Sequence, residues 1–337
     1  MKEKNILSSH GSGGKQTQSL IHDLFLTQFG RAEQFPTDSA IVEVPAGMLA
    51  FTTDSFVVTP IFFPGGNIGK LAVCGTVNDL AVSGAKPKWL SCGFILEEGL
   101  DIAELEKIVI AMAEEAKKAG VSIVAGDTKV VSKGQCDKIF INTSGIGILD
   151  PKNKNISTGA DIKIGDKIII NGTLADHGAS VAAARNGIHF EPELYSDCAC
   201  LNGMIETVLS SCPSVRFMRD ATRGGLAAVL CELVEKKNYG ILLQETAIPV
   251  SEPVKGLCEL LGFDPLLMAN EGKVLMIVSD EDAPKALKAL QSHEFGKNAS
   301  VIGEITETQA GRVILKTEIG GSRIVEMPAG EQLPRIC

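Results

Sequence analysis

The chain has 337 residues, 45% of them hydrophobic but only 5% aromatic, with one tryptophan, Trp89. That length suggests two domains, filled mainly by aliphatic side chains and alanine. A net charge of −9 argues against a general nucleic-acid binder, which needs a basic surface to displace counterions; it does not exclude a small anion held by backbone donors and a metal.

From the N-terminus, "MKEKNILSSHGSGGK" shows no leader pattern, and no run of 18 apolar residues follows anywhere, so neither export nor a membrane span is expected. Residues 1–37 form a Gly-rich arm with an amphipathic stretch over Gln18–Gln28. From residue 38 to 150 strands and helices alternate in a first α/β domain. "AIVEVP" and "MLAFTTDSFVV" predict strands, "GKLAVCGTVNDLAVSGA" a helix stopped by Gly84, and "PKWLSCGFILEE" a strand. "DIAELEKIVIAMAEEAKKAG" is the clearest helix. Asp101 and Glu104 give it a capping-box start, Ile102, Leu105, Ile108, Val109, Met112 and Ala116 share one face, and Gly120 ends it. "VSIVAGDT" predicts a short buried strand running into a glycine turn, and "KIFINTSGIGIL" another strand.

The polar segment "DPKNKNISTGADIKIGD" marks a boundary, and a second α/β domain spans 151–327. Strands are expected at "KIIING", "VRFMRD" and "KVLMIV", and helices at "HGASVAAARNG", "CACLNGMIETVLSSC" and after "DATRGG". A hairpin, "GRVILKTEIGGSRIVEM", closes the domain. Residues 328–337 then make a flexible tail, broken by Pro328, Gly330 and Pro334, that stops on Cys337. A terminal residue is a poor place to build a core, whereas cysteine ordinarily prefers burial. Cys337 is also not at the fourth-last position that prenylation requires. Nine cysteines with no C-x-x-C pair suggest reduced thiols in the cytoplasm. "CAC" (Cys198, Cys200) is too isolated to assign a metal and reads as small residues opening a helix.

Carboxylates recur at element ends: Asp38, Asp54, Asp79 beside Asn78, Asp127 and Asp220. Taken singly, each is a cap or turn former. Taken together, with "DATRGG" opening a helix, they equally suit a Mg²⁺–phosphate site, because that hard cation takes oxygen ligands and shares them with phosphates. "HGSGGKQ" offers backbone N–H groups and a lysine but lacks P-loop spacing, so alone it also reads as a flexible linker. Glu271 in "MANEGKVLMI" is either an exposed turn residue or a general base in a cleft. The five histidines show no ligand spacing.

In order, "TTDSF", "VNDLAVSGA", "AGDTK", "RDATRGGL" and "NEGKV" resemble the ATP-binding superfamily of aminoimidazole ribonucleotide synthetase, selenophosphate synthetase and thiamine-monophosphate kinase. "HGSGGK" near the start and a terminal "PRIC" resemble its HypE family of hydrogenase maturation factors, over essentially the whole chain. The resemblance implies two α/β domains of the aminoimidazole ribonucleotide synthetase type, ATP and Mg²⁺ in a cleft, and a homodimer paired through its N-terminal sheets. It implies a partner carbamoyltransferase, HypF, that carbamoylates Cys337. The chain then dehydrates the thiocarboxamide to a thiocyanate with ATP, and the cyano group passes to iron on a HypC–HypD complex. Residue by residue, it implies Asp38, Asp54, Asp79 and Asp220 for the metal. Gly13, Gly14, Lys15, Asn78, Asp127, Thr128 and Arg223 would hold ATP. Glu271 would be the base, with Lys129 or Lys133 stabilising charge. Two rivals stand beside this reading. One is a selenophosphate-synthetase-like kinase, against which the absence of cysteine in residues 1–40 counts. The other is a non-catalytic ATP-binding scaffold or metal chaperone presenting Cys337.

Overall fold

A computed structural model describes residues 3–12, 15–31, 42–330 and 333–337, with Lys15 described by its backbone alone. Gly13, Gly14, Asp38 and the Lys15 side chain therefore lie outside the described residues. Helix α1 (Lys15–Leu20) continues into a π-helical turn over Ile21–Leu26. The first domain then runs β1 (Met48–Phe56), β2 (Phe62–Phe63), β3 (Gly66–Asn67), α2 (Ile68–Val82), β4 (Ala85–Glu97), α3 (Ile102–Ala119), β5 (Ser122–Val131) and β6 (Ile139–Leu149). Its main sheet has the order β1-β6-β4-β5, with β4 and β5 parallel and the other pairs antiparallel.

Helix α2 starts where the Asn67 side chain accepts the N–H groups of Gly69 and Lys70, at 2.9 and 3.0 Å. It is buried on almost every side, so its apolar residues carry no clean amphipathic stripe. It crosses α3 closely at Gly69, where a Cβ would lie 2.4 Å from the Ile108 carbonyl oxygen. On α3, Asp101 accepts from Ala103 N–H at 2.8 Å, and Gly120 closes the helix at φ +68°. The expected capping box is only half made, because Glu104 pairs with Lys138 instead, at 3.1 Å.

The second domain contains β7 (Lys167–Ile170), α4 (Asp176–Asn186), α5 (Asn202–Ser211), β8 (Val215–Asp220), α6 (Gly225–Val234), β9 (Gly240–Gln244), α7 (Glu252–Leu261), β10 (Val274–Val278), α8 (Ala283–Gln291), β11 (Ser300–Thr306), β12 (Val313–Lys316) and β13 (Ser322–Val325). Seven strands form one sheet, β13-β12-β9-β11-β7-β10-β8. Every residue of β10 is buried: Leu275 and Ile277 face the α6 side, Val274, Met276 and Val278 the α5 and α8 side. A strand covered on both faces needs a continuous apolar run, which "VLMIV" supplies.

Three local expectations change. The described part of "AIVEVP", residues 42–45, is not a strand. β5 does not turn at Gly126 but continues to Val131. The helix expected from Cys198 begins at Asn202, leaving Cys198–Leu201 outside any helix or strand. The tail, expected to be flexible, is docked against the body of the protein. No described helix is long and apolar enough to cross a membrane.

Candidate functional site

The strands and helices bring three of the expected carboxylates into one seam between the domains. Asp54 lies on β1 facing α2, Asp79 lies on α2, and Asp220 ends β8. Thr52 Oγ1 donates to Asp79 Oδ2 at 2.7 Å, and the Ser55 N–H donates to Asp54 Oδ1 at 2.8 Å. Burial pushes all three carboxyls up. Asp220 reaches about 7, driven first by burial and then by the charge of Asp79. Among the described residues these oxygens do not close to within 4.8 Å of one another as a three-ligand cage.

Glu271 is not an exposed turn residue. It is 3% exposed, and its Oε1 is buried with no hydrogen-bond partner. Burial, and then the fields of Cys198, Asp197, Asp220 and Asp54, push its carboxyl well above the usual range. Its backbone is gripped tightly. The N–H groups of Glu271 and Gly272 donate to the two oxygens of Asp197, each at 3.1 Å, and Lys273 Nζ donates to Asp197 Oδ2 at 2.8 Å. A Cβ on Gly272 would lie 1.9 Å from the Asp197 carbonyl oxygen, so only glycine fits after Glu271.

Asn78 reaches the same seam from α2. Its Oδ1 accepts the Leu201 N–H at 2.8 Å, and its Nδ2 donates to Ala199 O at 2.9 Å and Glu271 O at 3.4 Å. The amide is thus committed to holding the segment beside Glu271, a positioning task rather than the expected ATP contact.

The tail docks onto the first domain. Ile336 is 4% exposed and packs into the first domain's core, with Leu333 and Cys337 against the same cluster. The Val57 N–H donates to Cys337 O at 3.0 Å, and the Thr59 N–H to Arg335 O at 3.2 Å. His177 Nε2 bonds the Ile336 carbonyl at 2.8 Å, while its Nδ1 meets Ser196 Oγ at 2.8 Å. Burial holds this histidine below its ordinary pKa, so the neutral ring donates from Nε2 and accepts at Nδ1. Arg185 donates to three backbone oxygens, those of Thr59, Pro334 (2.6 Å) and Arg335. Arg335 pairs with Asp137 and lies 5.7 Å over the Phe140 ring. A cavity of about 290 Å³ lies between this tail, the start of α6 and Met268–Ala269, with Arg223 and Ile336 in its wall.

Lys129 and Asp127 pair at 3.0 Å on the exposed face of β5, and Thr128 points to the helix-covered face. Lys133 is exposed in the β5–β6 loop, the loop that also carries the tail's partner Asp137. Arg223 is exposed just before α6, where its charge lowers Asp54. The structure thus joins Asp54, Asp79, Asp220 and Glu271 in one seam and sets Asp127, Thr128 and Lys129 apart at the sheet edge. Sequence reasoning missed Asp197, Lys273, His177 and Arg185. Lys273 follows directly after "NEG"; the other three carry no local signal.

Comparison with known proteins places this geometry. Residues 36–149 match the family model "AIR synthase related protein, N-terminal domain", and residues 163–316 match "AIR synthase related protein, C-terminal domain". The chain is 47% identical over 340 residues to carbamoyl dehydratase HypE of Rhodobacter capsulatus, covering 100% of this chain and 99% of that one. A solved structure of the hydrogenase maturation protein HypE in complex with ATP superposes with a TM-score of 0.92 at 44% identity, covering 98% of this chain and 99% of the other. HypE from a HypE–HypF complex superposes at 0.80 with 48% identity, covering 94% and 100%. The chain therefore belongs to the HypE family of AIR synthase related proteins.

Proposed function

We propose that this chain is a carbamoyl dehydratase of hydrogenase maturation, a lyase-type reaction on its own last residue. It carries a carbamoyl group on Cys337 as a thiocarboxamide and, with ATP, converts it to a thiocyanate that supplies the cyanide ligand for the iron of [NiFe] hydrogenase. The observation that carries this reading is the docked tail: Val57 N–H on Cys337 O, His177 on Ile336 O and Arg185 on two further tail carbonyls hold the half-buried Cys337 against the protein.

An amide oxygen is a poor leaving group, and phosphorylating it makes it a good one. The γ-phosphoryl group goes to the carbamoyl oxygen, releasing ADP. Removal of the nitrogen protons and cleavage of the C–O bond then release phosphate and leave Cys–S–C≡N. The net change is loss of one water at the expense of ATP. Glu271 takes a nitrogen proton, from a carboxylate whose other hydrogen-bonding needs are unmet. Burial and the neighbouring acidic charges raise its affinity for that proton. The donor set suits Mg²⁺: three half-buried carboxylates, pushed up by desolvation, with too little positive charge nearby. When bound, that ion would supply charge screening of the phosphates. Arg223, beside Asp54, faces the same seam. Of the two lysines, Lys133 suits charge stabilisation better, because Lys129 is already paired with Asp127 and Lys133 shares the tail's loop.

Cytoplasmic HypF is the proposed carbamoyl donor and a HypC–HypD complex the acceptor; neither nucleic acid nor membrane enters the cycle. The open face of the first sheet is the proposed homodimer contact. The test is intact-protein mass spectrometry after incubation with HypF, carbamoyl phosphate and Mg-ATP, with phosphate release followed in parallel. A Cys337 adduct one water lighter than the carbamoyl form, appearing in step with phosphate, is expected. A persistent carbamoyl adduct under ATP would instead favour a scaffold that only presents the thiol.

A further inference from the structure

Away from the carboxylates, two thiols and one carboxyl group converge at a second point of the domain seam, with a third thiol beside them. Cys74 Sγ, Cys200 Sγ and a Glu115 oxygen all lie within 4.8 Å of one another, and Cys74 and Cys200 are 3.5 Å apart. Buried Cys198 stands close enough to Cys74 to interact with it electrostatically. Cys74 comes from α2 and Glu115 from α3; Cys198 and Cys200 come from the irregular segment of the second domain before α5. Among the described residues, this is where ligand atoms of His, Cys, Asp and Glu gather most closely. The nine cysteines form no disulfide.

We propose that Cys74, Cys200 and Glu115, with Cys198 as the fourth donor, form a binding site for a thiophilic divalent cation of the Zn²⁺ class that clasps the two domains together. Three sulfurs and one oxygen make a tetrahedral donor set, and soft thiolates select such ions over Mg²⁺. Two sulfurs on one tetrahedral zinc, each about 2.3 Å from it, stand roughly 3.8 Å apart. The 3.5 Å separation is near that value and far from a disulfide's ~2.05 Å.

The position is held from outside. Asn78 lies one helical turn after Cys74 and bonds the peptides on either side of Cys200, through Ala199 O and Leu201 N–H. Asn202 Nδ2 donates to Ala119 O at 2.9 Å and ties the same segment to the end of α3. Glu115 gives one oxygen to Lys118 at 2.7 Å and keeps further lone pairs for a metal. Cys200 is partly exposed, which provides a path in. Binding replaces thiol protons: each cysteine ligand enters as thiolate and releases one H⁺ to solvent, so uptake strengthens as pH rises.

The full-length chain, stripped of metal and held in excess Mg²⁺, is dialysed against Zn²⁺ and, separately, Co²⁺. One Zn²⁺ retained per chain, thiolate-to-cobalt charge-transfer bands, and a raised melting temperature are expected. Cys200→Ser should abolish retention and the bands, and Glu115→Gln should weaken binding about tenfold or more. Cys337→Ala should keep all three signals, which separates this site from the terminal thiol and from the dehydratase reading. Zn²⁺ should also protect Cys74 and Cys200 from alkylation in the unaltered chain, a readout that needs no variant to fold. Absence of retained metal, retention unchanged in Cys200→Ser, or equal alkylation with and without Zn²⁺ would each overturn the proposal and leave the thiols as seam packing.

Discussion

Asp220 carries a charge that the fold does not want. Its carboxyl rises from 3.8 to about 7, through burial and then the charge of Asp79. Between roughly pH 4 and pH 7 the native state therefore keeps a proton that the unfolded chain has lost, and stability falls as pH rises through that window. Asp220→Asn stays neutral and removes the slope. Without ligand it should be more stable than the parent at about pH 7.5, by on the order of 1–3 kcal/mol, and converge with it below about pH 4. It should also lose most stabilisation by Mg-ATP. Calorimetry across pH, with and without Mg-ATP, checks both signs; a variant less stable at neutral pH would make Asp220 a turn former after all. Glu271→Gln separates binding from chemistry in the same seam. It should bind ATP and accept the carbamoyl group, but little cyano adduct should form on Cys337, as read by mass spectrometry. Conversion at the parent rate would remove Glu271 as the base and move attention to Lys133. The sequence located Glu271 at the start of a strand but not its burial. That burial comes from Asp197 and Asn78, far away in the chain, and no local pattern encodes such contacts.

At the scale of elements, the tail is the segment whose behaviour decides function. Prolines and a terminal position suggested a free arm. Its backbone carbonyls instead find donors in the Arg185 guanidinium, the neutral His177 ring and the Val57 and Thr59 N–H groups just past β1. Arg185→Ala removes the one guanidinium that bonds two tail carbonyls and Thr59 O together. A loss of about 1–2 kcal/mol in docking is expected, and so a roughly five- to thirtyfold rise in the undocked fraction. Cys337 labelling by a water-soluble maleimide should accelerate accordingly, and an unchanged rate would mean that Ile336 alone secures the tail. The main helices were legible because caps and periodicity are local signals, as at Asp101 and Gly120. The extent of β5 was not. Gly126 lies where a Cβ would stand 2.9 Å from the Cys92 carbonyl oxygen, so this glycine permits close strand pairing and does not make a turn. Likewise the segment before α5 stays non-helical because Ser196 Oγ and Asn78 take its backbone groups; a helix there would lose those bonds.

At the scale of the molecule, the first sheet has one face too many. α2 and α3 cover the side bearing Phe56, Leu90, Cys92 and Ile141. The opposite side holds Phe51, Ile146 and Trp89 paired in one row across three strands, with Leu49 and Ile95 also exposed. Phe51 is 71% exposed, and the edge strand β1 leaves that row unfinished. Apolar burial is worth about 25 cal/mol per Å², so an aromatic row of this kind strongly favours a covering partner. The homodimer proposed above would supply one by symmetry: the same face, self-complementary about a two-fold axis. The polar pair Asp127–Lys129 lies at the rim of that face, where charges are tolerated. Phe51→Asp combined with Ile146→Asp places two carboxylates in the centre of the row and should convert a dimer into a monomer. The single change Asp127→Asn, at the rim, should leave the dimer intact. Sedimentation velocity over a range of concentrations reads the outcome. Because both replaced side chains point away from the domain core, the double variant should keep its far-ultraviolet circular dichroism, so dissociation can be told from unfolding. A double variant that sediments as the parent does would show that this face is covered by something other than a second chain, or by nothing.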